Sequence, residues 1–379
     1  MDWIIFGDDW GAHPSTTQHL ALHLPPEDAV IWVDSIGMRK PKLRIVDIKR
    51  LWTKASVLLH PSRTRGGLYQ GTFGAFYHVA PRVLPWHDMS LAVHYNSRQL
   101  RRSLMAGMRR LSMAEPVLLT SYPAVVTYLD AIPHGTLAYL RLDDYSHYPG
   151  VDVDLVEATE QQLFERADVI LVTGQALLPA GNPSKAHYLP QGVHHDHFAT
   201  VPLEPPRNKV LGFFGTLASW LDFELVADVA KGAPDWQLEF VGKLDYLPPG
   251  LEELPNISLK PPVPFADLPQ VMSGWSAAWI PFQLNPLTKG VNPLKVREYL
   301  AAGLPTHCTP LPEVTPLSNH VLISDDAEAI VGWMEDMLHN DSVEARRARR
   351  ESVRPESWKQ RSATLRQIVM QCQTDDTRQ

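Results

Sequence analysis

Short apolar runs alternate with longer amphipathic ones along most of this chain. Residues 3–6, 29–33, 117–120, 137–142 and 168–173 are near-continuous apolar stretches, the pattern of parallel strands buried on both faces. Helical spacing fills the gaps at 15–24, 45–59, 96–111 and 152–166. A second series follows, with strands at 209–214, 237–241, 257–259, 277–281, 306–308 and 321–323. Its helices fall at 221–231, 265–272, 293–302 and 327–338. Between the series lies Val201-Pro202-Leu203-Glu204-Pro205-Pro206-Arg207, whose prolines can continue neither a helix nor a central strand. The pattern predicts an α/β protein with two Rossmann-like domains, 1–200 and 208–340, joined by the linker 201–207. A helical, Arg-rich segment, 341–379, follows and is expected to pack back towards the first domain. Ligands of such sheets sit at the carboxyl ends of the strands, so a cleft between the two facing domains is the expected site.

The bulk numbers narrow the function. A chain of 379 residues suits two cores better than one. Its net charge of −7 argues against a general nucleic-acid binder. Cys308 and Cys372 are the only cysteines and form no CxxC, so neither a disulfide framework nor a structural zinc site is expected, and a reducing cytoplasm fits. The amino end lacks a basic region followed by an apolar core, and no run reaches the roughly 18 apolar residues of a membrane span. A cytoplasmic protein is expected, at most peripheral at the inner face of the membrane.

Two segments carry the chemistry. In Val210-Leu211-Gly212-Phe213-Phe214-Gly215-Thr216, an apolar strand ends at a glycine before a polar loop. A glycine there lets backbone amides approach a phosphate, although a plain strand–helix turn reads the same way. The dinucleotide fingerprint GxGxxG is absent. In the segment 289–305, Asn292 is placed to cap a helix, Pro293 to open it and Gly303 to close it. Lys295 then lies in the first turn, where a cation and free N–H groups favour a diphosphate. Glu298 shares its face and could accept hydrogen bonds from ribose hydroxyls; an ordinary Lys–Glu surface pair is the alternative.

The acidic residue followed by Ala301-Ala302-Gly303-Leu304-Pro305 resembles the donor-site helix of GT-B glycosyltransferases. With Leu140–Tyr145, Leu189–Val193, Gly212–Glu224 and Ile280–Pro305 in order, the chain resembles the bacterial exopolysaccharide and teichuronic-acid-type glycosyltransferases related to family 4. The resemblance implies the GT-B fold and a nucleotide-sugar donor, with no metal and no cofactor. It also implies that Gly215 and Thr216 face the donor phosphates and that Lys295, aided by Lys289, neutralises the diphosphate. Glu298 would hold the ribose, Asn292 would join the donor-binding set, and Pro262 and Val263 would border the base. Retaining members carry a second glutamate eight residues before the one at Glu298; here that position is Gly290, which leaves the stereochemical outcome open.

An inverting reaction needs a base for the acceptor hydroxyl. Asp8, Asp9 and His13 follow the first strand, and Asp143 and Asp144 follow a later one. These are the catalytic candidates, with turn capping as the plainer role for each. His194-His195-Asp196-His197 looks like a metal cluster, but adjacent side chains diverge and no metal is expected. Residues 96–111 interleave five arginines with apolar positions, so a peripheral membrane contact is expected there beside ordinary core packing. The function expected is transfer of a hexose-type sugar to a glycan or lipid-linked acceptor in surface or exopolysaccharide biosynthesis. A sugar-nucleotide epimerase and a non-catalytic nucleotide-binding protein are the alternatives.

Overall fold

A computed structural model describes residues 1–11, 15–36, 74–84, 86–148, 151–179, 181 and 183–376. The helix expected at 45–59 and the candidate His13 lie outside these residues. The chain divides into two compact units.

The first unit takes the described residues of 1–173, 177–189 and 362–376. Its strands are β1 (Trp3–Phe6), β2 (Ala29–Val33), β3 (Ala75–Val79), β4 (Val117–Thr120), β5 (Leu137–Arg141), β6 (Val169–Val172) and β7 (Ala186–Tyr188). They form one parallel sheet in the order β3-β2-β1-β4-β5-β6-β7. The two edge strands, β3 and β7, are absent from the sequence expectation. Both are largely half-exposed, so neither carries the apolar run that marks a doubly covered strand. Helices α1 (Thr16–Leu22), α2 (Ser90–Leu111) and α3 (Val153–Arg166) belong to this unit. Helix α2 starts at Ser90 instead of residue 96, and its buried Ala92 and Asn96 extend the packed face.

The second unit takes residues 174–176 and 190–361. Strands β8 (Val210–Phe214), β9 (Gln237–Val241), β10 (Ile257–Lys260), β11 (Ala277–Ile280), β12 (Thr306–Cys308) and β13 (Val321–Ile323) form a parallel sheet in the order β10-β9-β8-β11-β12-β13. Its helices are α4 (His195–Phe198), α5 (Phe223–Gly232), α6 (Leu268–Met272), α7 (Pro286–Lys289), α8 (Leu294–Ala301), α9 (Ala327–Asn340) and α10 (Val343–Ser352). The last helix, α11 (Trp358–Asp376), belongs to the first unit from residue 362 onwards. There Ser362 Oγ donates to Leu20 O, and Arg366 Nε lies 3.0 Å from a buried Asp28 oxygen.

The units therefore change at residue 190, and the proline-rich stretch 201–207 lies inside the second one. Phe198 and Val201 are buried in the second core, and Arg350 donates to Val201 O at 2.5 Å. Prolines end a helix or strand, but they do not by themselves free a segment from a core. In each sheet the strand order reverses once, between β1 and β4 and between β8 and β11. Those switch points are where open α/β sheets place ligands.

The carboxyl region is fastened to the second core by buried charge. Arg346, 1% exposed, pairs with Asp341 at 2.5 Å, and Arg349 pairs with the other Asp341 oxygen. Asp341→Ala would leave Arg346 buried without its counter-ion, which costs about 3–5 kcal/mol. Urea unfolding should show that loss. A change below about 1 kcal/mol would make this pair no better than a surface one.

Candidate functional site

Strand β8 ends at Gly215, whose φ of +141° an L side chain rarely adopts. A Cβ there would stand 2.6 Å from Lys295 Cε and 3.1 Å from its Nζ. The glycine thus gives the lysine stem its place against the β8 turn. Lys295 lies in the first turn of α8, and its ammonium sits 5.9 and 6.0 Å from the ring centres of Phe213 and Phe214, within cation–π range. Among the described residues it makes no hydrogen bond or ion pair. Burial lowers its pKa, against the pull of Glu298. Glu298 stands one turn on, and burial raises its carboxyl to about 7, with Lys295 acting in the opposite sense. The Gly215, Lys295 and Glu298 of the sequence reading are thus brought together, and Thr216 is half-buried beside Gly215. Lys289 is exposed at the end of α7.

Helix α8 is seated by its other face. Val296, Tyr299 and Leu300 are fully buried, and Phe214 N donates to the Tyr299 hydroxyl at 3.1 Å, which ties β8 to α8. At its end Gly303 N donates to Leu300 O and Leu304 N to Tyr299 O. With φ of +83° at Gly303, this is a Schellman closure, as the Gly-x-Pro turn suggested.

The start of the helix differs from expectation. Pro293, not Asn292, occupies the cap position, without a side-chain bond. Asn292 Oδ1 accepts from Arg297 at 2.6 Å, and its Nδ2 donates to Glu313 at 3.3 Å. Arg297 also donates to Glu356 at 2.6 Å, and Glu313 accepts from Gln175 N. Arg297 and Glu313 are both 5% exposed. Arg297, two residues after Lys295, points to another face of α8. That face is where the turn before the donor helix is fixed. Nothing in the spacing pointed to Glu313 or Glu356, which lie far along the chain.

Val263 borders a pocket of about 330 Å³ with Val241, Val271, Trp275 and the paired Lys260 and Glu239. Pro262 is exposed in the same loop. A larger cavity of about 700 Å³ lies beside α5 and includes none of Gly215, Lys295 or Glu298, so size alone does not select the site. The histidine cluster is spent on structure: His195 Nε2 lies 3.1 Å from Arg350 O, and His197 Nε2 lies 3.0 Å from Phe265 O.

In the first unit, the two acidic loops meet at the carboxyl ends of β1 and β5. The Tyr122 hydroxyl donates to Asp8 Oδ1, and the Tyr148 hydroxyl donates to Asp143 Oδ2 at 2.8 Å. Asp143 and Asp8 both act on the Tyr148 hydroxyl, and Asp9 acts on Tyr122. Burial raises Asp143 to about 6, against the Tyr148 bond and helped by the Asp144 charge. Burial would raise Asp144 too, but bonds from Ser146 and the charges of Arg141 and His147 hold it low. Asp144 also caps the short turn after β5, the plainer role foreseen for it. The two tyrosines were missed; Tyr122, two residues after the end of β4, was the signal available.

The raised Glu298 carboxyl has a consequence for stability. Between about 4.5 and about 7 the folded state keeps a proton that the unfolded chain has released. Stability from this group therefore falls as pH rises through that window. Glu298→Gln should flatten the decline and melt above the parent protein at pH 7.5, read as thermal midpoints from pH 4.5 to 7.5. An unchanged slope would mean the carboxyl is not desolvated.

No family model matches the chain. TuaH of Bacillus subtilis (strain 168), a protein named as a glycosyltransferase of teichuronic acid biosynthesis, is 27% identical over 238 residues. That match spans 57% of this chain and 59% of TuaH. Among solved structures, Anabaena HepE in complex with UDP and glucose superposes with a TM-score of 0.64 at 11% identity, covering 97% of this chain and 99% of that one. The α,α-trehalose 6-phosphate synthase of Burkholderia multivorans gives 0.60 at 13% identity, covering 99% of each chain. Two parallel Rossmann-like sheets together with these likenesses identify the fold of the chain as that of the GT-B glycosyltransferases.

Proposed function

We propose that the chain is a glycosyltransferase that moves a sugar from a nucleoside-diphosphate donor to a glycan in surface or exopolysaccharide biosynthesis. The observation that carries this reading is Lys295 held against Gly215 in the first turn of α8. It is a desolvated cation beside free helix N–H groups, at the switch point between β8 and β11. The diphosphate goes there, with Gly215 and Thr216 at its oxygens and Lys289 as an outer cation. Asn292 acts on the donor by holding the turn that leads into α8. Glu298 takes the ribose hydroxyls, and the base enters the pocket that Val263 lines, in the loop that also carries Pro262. When the sugar leaves, charge grows on the diphosphate, and the fixed ammonium and helix end stabilise it without reorganising. The likeness to a protein named for teichuronic acid biosynthesis supports the choice of a polymer acceptor. Lys295→Ala and Glu298→Ala should each weaken UDP binding by about 1.5–3 kcal/mol, the worth of one charge-assisted hydrogen bond. Calorimetry with both variants folded and unchanged in affinity would sink the assignment.

The acceptor base is proposed from the first unit, and Asp143 is the best placed of the candidates Asp8, Asp9, Asp143 and Asp144. A base works best with a pKa near the operating pH, and Asp143 lies at about 6. Asp8 and Asp9 complete the acidic cluster, and His13 stays a candidate outside the described residues. Transfer should decline below about pH 6 as Asp143 takes a proton. Asp143→Asn should lower the transfer rate by about 10²–10⁴ with little effect on UDP affinity. Near parental transfer by Asn variants at 8, 9, 143 and 144 would refute a carboxylate base. A lipid-linked acceptor, with peripheral membrane contact through 96–111, belongs to the same reading.

A further inference from the structure

The loops that follow β8, β9 and β11 are fastened to one another by their backbones. Leu217 N donates to Lys243 O at 2.8 Å, and Tyr246 N donates back to Leu217 O at 3.0 Å. Asp222 N donates to Pro281 O at 2.8 Å, and Gln283 N to Trp220 O at 2.9 Å. These three loops and the start of α5 line the cavity of about 700 Å³ that holds none of Gly215, Lys295 and Glu298. Its volume falls in the upper half of the range of roughly 300–1,000 Å³ usual for ligand clefts. Tyr246 lines it at 49% exposure, its ring centre 5.9 Å from that of the buried Phe223. Leu284 adds apolar surface from the β11 loop. Ser219, Glu224 and Gln283 line it as well and are exposed. Among the described residues, the side chains of Ser219, Glu224, Tyr246 and Gln283 make no hydrogen bond or ion pair.

We propose that this cavity is a saccharide-binding site that holds a neutral stretch of the glycan away from the donor helix. A sugar ring has an apolar C–H face and a rim of hydroxyls that both donate and accept. Tyr246 offers a ring face to the first. Glu224 accepts from the second, and Ser219 and Gln283 do both. An anionic ligand fits less well. Asp222 caps α5 and Glu224 lies in its first turn, so the helix end already has its negative charge. Lys231, which also lines the cavity, has Asp228 at 3.8 Å. An extended peptide would seek an open strand edge, whereas these loops spend backbone groups on one another. A second hold on a polymer raises the effective concentration of its reacting end. The choice of a glycan rests on the polymer-acceptor reading; the cavity stands apart from the donor residues.

Calorimetry of the full chain with maltohexaose, cellohexaose, mannohexaose and N-acetylchitohexaose tests it. At least one should bind the parent protein with a dissociation constant of about 1 mM or tighter. Glu224→Ala should weaken that binding about tenfold, the loss of one hydrogen bond to a charged group. Tyr246→Ala should weaken it by a similar factor, and Tyr246→Phe, which keeps the ring, should retain most of the affinity. UDP affinity and the thermal midpoint, measured on the same samples, should not move. A parent protein that binds UDP but none of the four hexasaccharides overturns the proposal. So does parental saccharide affinity in both alanine variants, which would place the binding elsewhere. Tighter binding of oligogalacturonate than of any neutral probe overturns it too. A parent protein that binds a hexasaccharide through Tyr246 and Glu224 but binds no UDP would defeat the donor reading and leave this one standing.

Discussion

Gly215 leaves the end of β8 open to the Lys295 side chain: a Cβ there would stand 2.6 Å from the lysine Cε and displace it from its present place. The rest of the donor region follows from keeping the two in register. Helix α8 is only two turns long, too short to persist on its own propensity. Its geometry comes from Val296, Tyr299 and Leu300 in the core and from the Tyr299 hydroxyl on Phe214 N. Rotating the helix by one residue would remove Lys295 from Gly215 and bring Val296 out of the core. The packing face and the chemical face therefore specify each other.

The turn before α8 is held by a different means. Arg297 and Glu313 are buried charges, and buried charge is tolerated only when it is paired and hydrogen-bonded. Asn292 accepts from one and donates to the other, so its amide orientation is fixed from both ends. Arg297 reaches on to Glu356, and Arg361 pairs with the same carboxylate. Residues far apart in sequence thereby set the position of the donor helix. Side chains so constrained give sharper geometry than a loop relying on shape alone.

Most of the fold was legible because a doubly wound sheet writes its central strands as apolar runs. Every strand of the second sheet lies within or beside an expected segment. The edge strands β3 and β7 escaped, since half-exposed strands lack that signature. Lys295 and Glu298 could be paired from their spacing, and Gly303 from its turn. The partners of Asn292 could not, because Glu313 and Glu356 reach it through tertiary packing that no local pattern encodes. The linker was misplaced for a related reason: prolines report backbone restriction, whereas the burial of Phe198 and Val201 decides which core owns the segment. Paired aspartates at two strand ends were visible, but the tyrosines that join them were not.

The two switch points share a topology and differ in charge, and that difference argues for how the proposed reaction is divided. At the second, an ammonium lies beside a helix amino end, near the rings of Phe213 and Phe214 and within reach of the Glu298 charge. At the first, Asp8, Asp9 and Asp143 gather around Tyr122 and Tyr148, and Asp144 stands next to Asp143 with Arg141 and His147 as its counter-charges. A diphosphate is drawn to the former and repelled by the carboxylates at the latter. A sugar hydroxyl carries no charge, so it meets no such penalty beside aspartates, and it has a proton to give. Burial raises both Asp143 and Glu298, yet their surroundings suit them to different work. Asp143 accepts from a tyrosine within an anionic cluster, where a proton taken up relieves repulsion. Glu298 stands beside Lys295, whose charge favours the carboxylate, although burial is the larger influence and leaves its carboxyl at about 7.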